Sequence, residues 1–399
     1  MPDFAQLLAK HRPLLKYDSH ELYFADSAAE MTDNPANVLR DSAGALVAAA
    51  TPQPGQTQLS LTLLGQANYP NGHAPNQDDR LGDTTKNYVE EARRLHLNPN
   101  HRNQMYGRWA KSGTDGCWWL QYWFFYFYDD YNLTGDIGQE AGRFGAHEGD
   151  WEMIELQLDG NGNPQLAAYS QHKNGEQKAW GRVEKQGDRP VVYPARGSHA
   201  NYFTRTKLLP HWTGAGVDFS DGKGWSPDIT LNVVEDGDLN YAWLLKWPGY
   251  WGDTEQVILP FNATSPNAPC RHAVWREPHH LIEAAKDLQA QKKAAPPPAV
   301  PPPPRGVSLL REGGTLHVSY DSREWPAGTG APAALVVTVN SPQDPLPPTG
   351  RTLPIDSPSG DVDTGIEAHD DWSYDGAASF VDTNGVASAS RQVSLPKAT

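Results

Sequence analysis

The segment Gly145-Ala146-His147-Glu148-Gly149-Asp150-Trp151-Glu152 gathers one imidazole and three carboxylates within six residues, and Met153-Ile154-Glu155-Leu156-Gln157-Leu158 follows it. Side chains alternate along a strand, so Asp150 and Glu152 should share a face with Ile154, Leu156 and Leu158. That face begins carboxylate-lined and turns apolar, as where a strand leaves a solvent cavity and enters a core. Like charges this close repel, so a bound cation or a raised pKa must compensate. His147 lies just before the pair and can turn its ring towards them. Asp129 or Asp130 could complete the group. Carboxylate oxygens with one imidazole suit Mg, Ca or Mn, with Zn the less favoured ion. The competing reading is an ordinary exposed strand end.

The elements that must position this group are readable on either side. From Trp118 to Tyr128 nine of eleven residues are aromatic, and Asp129-Asp130 end the run. It is too short to span a bilayer as a helix, and its ring hydroxyls and Gln121 need partners. A central strand buried on both faces accounts for it, with two carboxylates held at its rigid tip. Residues 3–11 read as a short helix that stops before Pro13. Asp83-Thr84 offers an N-cap for a helix with Tyr88, Val89, Ala92 and Leu95 on one face.

Other residues invite functional readings with plain alternatives beside them. His172, in Tyr169-Ser170-Gln171-His172, could orient a ligand carboxylate from outside the coordination sphere, or be a satisfied loop histidine. Arg196-Gly197-Ser198-His199 has the residue types of a triad but no nucleophile elbow, and neighbouring strand residues point apart. His199 reads instead as a cavity-lining or structural residue, and Arg196 as a ligand for an anionic headgroup. Lys246-Trp247-Pro248-Gly249-Tyr250-Trp251 clusters rings on a turn. Exposed, Trp251 would stack sugars or enter a membrane interface; buried, it caps the core. Two cysteines, Cys117 and Cys270, exclude a thiolate-built zinc site and leave open one long-range disulfide.

At 399 residues the chain exceeds one hydrophobic core. Its 33 basic and 48 acidic residues argue against nucleic acid as a partner. High glycine and proline content, with 14 tryptophans, leans towards a mainly β chain with an aromatic core. Seven prolines within residues 296–304 mark a semi-rigid spacer. The resulting organisation is a β-sandwich core with a few peripheral helices at 1–293, a proline-rich linker at 294–305 and a small β-sandwich at 306–399. That module should be immunoglobulin- or fibronectin-like, with strands at 315–320, 334–339 and 378–381. It carries 5 basic and 12 acidic residues, an acidic surface that serves solubility. Neither a Sec-type leader nor an apolar stretch near 18 residues is present. The expectation is a soluble protein, cytoplasmic or exported by a non-Sec route.

Three segments resemble the vacuolar protein sorting-associated protein 62 family: Arg12 to Ser27 with its Tyr17-Asp18-Ser19-His20-Glu21, the aromatic run with His147-Glu148-Gly149-Asp150-Trp151-Glu152, and Tyr193 to Tyr202. The likeness is spread over roughly 12–280 and leaves the linker and the small module outside. More distantly, the hexapeptide resembles the Gly-His-Arg-His-Asp-Trp-Glu heptapeptide of the necrosis- and ethylene-inducing peptide 1-like cytolysins. There the first His, the Asp and the Glu, with an upstream Asp, hold a divalent cation that engages sphingolipid sugar headgroups. The resemblance implies that His147, Asp150 and Glu152, with Asp129 or Asp130, hold such a cation on a β-sandwich. Glu148 and Gly149 depart from the Arg-His of that motif. Three functions follow as expectations. The first is cation-dependent recognition of a lipid headgroup or glycan, in the manner of a cytolysin-like effector at a membrane surface. The second is a metal-dependent hydrolase in which Glu148 or Glu152 moves a proton. The third is a structural or cargo protein that meets a protein partner through its carboxy-terminal module.

Overall fold

The computed structural model describes residues 2–130, 146–171, 174–210, 217–253, 265–281, 304, 306–321, 332–343, 349–355, 359–382, 388 and 391–398. His172 and nearly all of the proline spacer lie outside these residues. The fold is mainly β, and its centre is a six-stranded sheet. In chain order its strands are β1 (Gln104–Lys111), β2 (Trp118–Asp129), β3 (His147–Leu158), β4 (Pro164–Gln171), β5 (Asn174–Ala179) and β6 (Thr230–Val233). Their spatial order is β6-β1-β2-β3-β4-β5, with β6 parallel to β1 and the rest antiparallel.

The aromatic run forms β2, and both of its faces are dry. Leu120, Tyr122, Phe124 and Tyr126 join Ile154, Leu156 and Leu158 of β3 in one core. Trp119, Trp123, Phe125 and Phe127 join Trp151 and Met153 in the other. Removing each such ring from water contributes roughly 1.5–3 kcal/mol. The first core is closed by helix α1 (Phe4–Lys10) and by a small sheet containing Leu14–Leu15 and Arg189–Pro194. Asp3 caps α1 by accepting from the Gln6 N–H, and Phe4 and Leu8 turn inward. The second core is closed by a three-stranded sheet over Asn37–Arg40, Leu46–Ala49 and Arg80–Asp83, and by helix α2 (Tyr88–His96). Tyr88, Val89, Ala92 and Leu95 form the buried face of α2, as expected. The expected cap does not form. Asp83 belongs to a strand paired with Asn37–Arg40, so the chain must turn before it can coil. The Asp83 carboxylate accepts from Thr85 and Lys86 within that turn, and Asn87 stands at the N-cap without a side-chain bond. Cys117 and Cys270 are both free thiols, so the open question of a disulfide closes against one.

The carboxy-terminal strands form two facing sheets. A three-stranded sheet of Gly306–Glu312, Thr315–Asp321 and Ser359–Glu367 faces a four-stranded sheet of Thr349–Pro354, Pro332–Asn340, Tyr374–Asp382 and Arg391–Leu395. Leu309, Leu316 and Val318 meet Leu335, Val337 and Phe380 in a core of their own. A three-plus-four antiparallel sandwich is the immunoglobulin- and fibronectin-like arrangement. No helix among the described residues is long and apolar enough to cross a membrane.

Within the central sheet Glu155 is fully interior. Glu155 of β3 stands opposite Gln121 of β2, and its Oε2 accepts from Gln121 Nε2 at 3.2 Å. Burial pushes its carboxyl well above the usual range. The folded chain therefore keeps a proton that the unfolded chain releases above pH about 4.3. Stability from this group is full below that pH and falls as pH rises towards the folded pKa, by up to about 1.4 kcal/mol per pH unit. Denaturant titrations at pH 5 and pH 8 should show Glu155→Gln losing this component of the slope. Unchanged pH dependence would contradict a protonated Glu155.

Candidate functional site

The site lies where β2 and β3 leave the core. Their register runs from Trp118 opposite Leu158 to Asp129 opposite His147, with Tyr126 opposite Asp150. Asp129, His147 and Asp150 each offer one ligand atom, and these atoms all lie within 4.8 Å of one another. Both carboxylates are buried, and the His147 side chain keeps 16% of its surface in solvent. The imidazole is oriented. Its Nδ1 stands 2.7 Å from the Gly149 carbonyl, which can only accept, so Nδ1 carries the proton. Nε2, 3.4 Å from Asp129 Oδ2, then carries the lone pair into the group. Two carboxylates and a neutral imidazole nitrogen fit a divalent cation of the Mg, Ca or Mn type.

Asp150 is held from behind. Its Oδ2 accepts from His199 Nδ1 at 2.9 Å, and His199 Nε2 lies 3.7 Å from Glu21 Oε1. The His199 ring stacks on Tyr126 with centroids 3.8 Å apart. Burial disfavours its charge, yet the hydrogen bonds and charges of Asp150 and Glu21 raise its pKa to about 10. It is an interior imidazolium that offsets two carboxylates and orients a candidate ligand. His199 adopts φ +52°, in a tight turn where its N–H donates to the Ala195 carbonyl. Glu21 accepts from the N–H groups of Leu22, Tyr23 and Gly197, which ties this turn to the amino-terminal segment.

Gly149 sets which carboxylates converge. It has φ +60°, and an added Cβ would lie 2.0 Å from the Trp251 carbonyl oxygen. A left-handed residue inside a strand breaks the alternation, so Glu148 and Asp150 do not share a face. Glu148 turns to the second core, accepting from Tyr88 Oη at 2.8 Å, Asp83 N at 3.1 Å and Asp253 N at 3.0 Å.

The sequence candidates thus divide. Asp129, His147 and Asp150 come together. Asp130, also buried, donates its N–H to the Gly197 carbonyl and stays outside the trio. Glu152 shares the face of Asp150 but lies two residues deeper, where Ser170 Oγ and Asn201 Nδ2 donate to it. Arg196 is half-buried beside Asp18. Burial works to raise the Asp18 carboxyl, but His20 and Arg196 hold it below its ordinary value. Trp251 is fully buried against Trp151, Trp247 and Phe125, which removes its indole from any ligand-stacking role. Its contribution to the site is the carbonyl that faces Gly149. Glu21 was not a candidate in the sequence; its one signal was its place in the Tyr17 to Ser27 segment.

No protein-family model matches the sequence. Among curated proteins the chain is similar to vacuolar protein sorting-associated protein 62 of Saccharomyces cerevisiae, 28% identical over 171 residues, or 35% of this chain and 36% of that protein. The match thus spans about a third of the relative's length. Among solved structures it is similar to a necrosis- and ethylene-inducing protein 2 from the causal agent of cocoa's witches' broom disease. That likeness is 14% identical, covers 60% of this chain and 79% of the other, and has a TM-score of 0.28. A structure of NLPPya in complex with glucosamine is 12% identical and covers 61% and 82%, with a TM-score of 0.30.

Replacing Gly149 tests its part in aiming the carboxylates. Gly149→Ala should cost more than about 2 kcal/mol, because it adds strain at positive φ to a clash with backbone. Gly181→Ala, where an added Cβ meets nothing within 4 Å, is the control. Equal urea midpoints for the two variants would refute the role given to Gly149.

Proposed function

We propose that this chain is a recognition protein in which a divalent cation held by Asp129, His147 and Asp150 engages a polar headgroup or glycan. The observation that carries the reading is the convergence of three suitable ligand atoms within 4.8 Å at the open end of a rigid sheet. The correspondence of His147, Asp150, Trp151 and Glu152 with the cytolysin heptapeptide supports it. A bound cation would supply electrostatic capture of hydroxyl or phosphate oxygens that an uncharged cleft could not hold. The chain's own groups do the positioning: the Gly149 carbonyl fixes the His147 tautomer, and the His199 imidazolium holds Asp150. His147 marks the solvent side, from which a ligand would approach. In this reading residues 1–293 form the recognition domain, 294–305 a spacer and 306–399 a separate module.

Binding is favoured over hydrolysis by the carboxylates that surround the trio. Glu148 accepts three hydrogen bonds within the second core, and Glu152 is held by Ser170 and Asn201. Neither is poised to move a proton at the trio.

Elemental analysis of metal-replete protein should find about one divalent cation per chain, lost in Asp150→Asn and Asp129→Asn. A wild type without cation sinks the reading. Liposome and glycan-array binding should then fall by about tenfold or more in chelator and recover when cation is restored. Equal binding with and without chelator separates recognition from the cation.

A further inference from the structure

A cavity lies at the other end of the central sheet. β6 pairs with β1 only from Gln104 to Gly107. From Arg108 to Lys111 the outer edge of β1 has no strand beside it among the described residues. A cleft of about 710 Å³ opens there, within the range of small-ligand sites. Five cations line it, Arg108, Lys111, Lys246, Arg271 and Arg276, against the single carboxylate of Asp236. In a chain of net charge −15 this is a local reversal of sign. Three indoles, Trp109, Trp118 and Trp275, belong to the same walls.

Arg108 is the organised part of this cleft. It is only 6% exposed, and its guanidinium carbon lies 4.1 Å over the Trp275 ring. Nη1 donates to Gln121 Oε1 at 2.9 Å and to the Trp275 carbonyl at 2.7 Å, and Nη2 donates to Asp236 Oδ1 at 3.2 Å. Its Nε is buried and has no hydrogen-bond partner. Behind Gln121 burial pushes the Glu155 carboxyl well above its usual range, which disfavours a negative charge there. Asp236 neutralises Arg108 weakly, because its side chain is 80% exposed and screened by water. Around the rim Lys246 and Arg276 are exposed, and among the described residues neither has an ion-pair partner. Trp109 and Trp118 pack on Phe4 at centroid distances of 5.5 and 4.6 Å, and each keeps part of its ring in solvent.

We propose that this cleft binds a phosphorylated ring compound, whose phosphate meets the cations and whose ring lies against an indole. Guanidinium groups match phosphate oxygens in pairs, and a dianion offsets the excess of positive charge. Indoles supply flat apolar area for a sugar or aryl ring. The site is separate from the carboxylate trio and does not rest on it. Trp118 and Asp129 are the two ends of β2, roughly 36 Å apart at strand rise.

Titration calorimetry on the full chain, in chelator, tests the proposal. The probes are glucose 6-phosphate and phenyl phosphate, with glucose and phenol as unphosphorylated controls. A parallel arm sediments the protein with phosphatidylcholine vesicles, with and without a phosphoinositide. Phosphorylated probes should bind and their controls should not, with affinity falling as salt rises. The double variant Lys246→Gln/Arg276→Gln should weaken binding by about tenfold or more while melting as the wild type does. Binding to phosphoinositide vesicles alone identifies a lipid headgroup as the source; binding of the free phosphates identifies a soluble ligand. No binding in either arm, or equal affinity in the double variant, overturns the proposal. Binding that persists in chelator also keeps this site independent of the fate of the cation site.

Discussion

The pairing of β2 with β3, twelve residues against twelve and dry on both faces, is the constraint on which the rest of the molecule depends. A slip of one residue would turn Trp119, Trp123 and Phe125 into the core that Tyr122, Phe124 and Tyr126 now fill. Neither core could absorb the exchange, since interiors tolerate little change of shape. Register is therefore set by rings along the whole strand. Its outcome at the strand ends is chemical: Asp129 falls opposite His147, and Asp150 opposite Tyr126. A loosely packed pair of strands would leave those side chains free to drift apart under their own repulsion.

Burying several carboxylates near one another carries an electrostatic cost, and two different solutions are visible. Near the trio the charge is retained and balanced. His199 stands as an imidazolium between Asp150 and Glu21, while three backbone N–H groups satisfy Glu21. Within the sheet the charge is given up instead, and Glu155 keeps its proton beside Gln121. The difference follows from surroundings. A cation partner and a turn rich in free N–H groups favour the ionised form; a strand interior with one amide donor does not.

Period-two reasoning made much of this legible in the sequence. It separates the faces of the aromatic strand and puts Asp150 in line with Ile154, while the 3.6-residue period identifies the buried face of α2. It fails where the backbone leaves the ideal strand. Gly149 turns Glu148 to the opposite face, and nothing local in the sequence says that this glycine adopts positive φ. The reason is a tertiary contact, the Trp251 carbonyl, contributed from about a hundred residues away. The Asp83 cap fails for a related cause, because a strand pairing with Asn37–Arg40 outranks a local helix signal. Glu21 escaped notice because its partners, Gly197 and His199, come from a distant turn. The small module was easier to read, since its strands alternate cleanly and its turns are rich in proline, glycine and aspartate.

Net charge is a poor guide to where such a molecule does chemistry. The value of −15 averages a carboxylate group at one end of β2 with a basic cleft at the other. Their separation along the strand is several screening lengths at physiological salt, so each end presents its own field to solvent. The strands between them are filled mostly by rings, and burial disfavours the charge of Glu155 among them. An acidic end that attracts cations and a basic end that attracts anions can thus coexist in one rigid body without cancelling. What separates them is the length of the aromatic strand, which makes the same rings responsible for stability and for polarity.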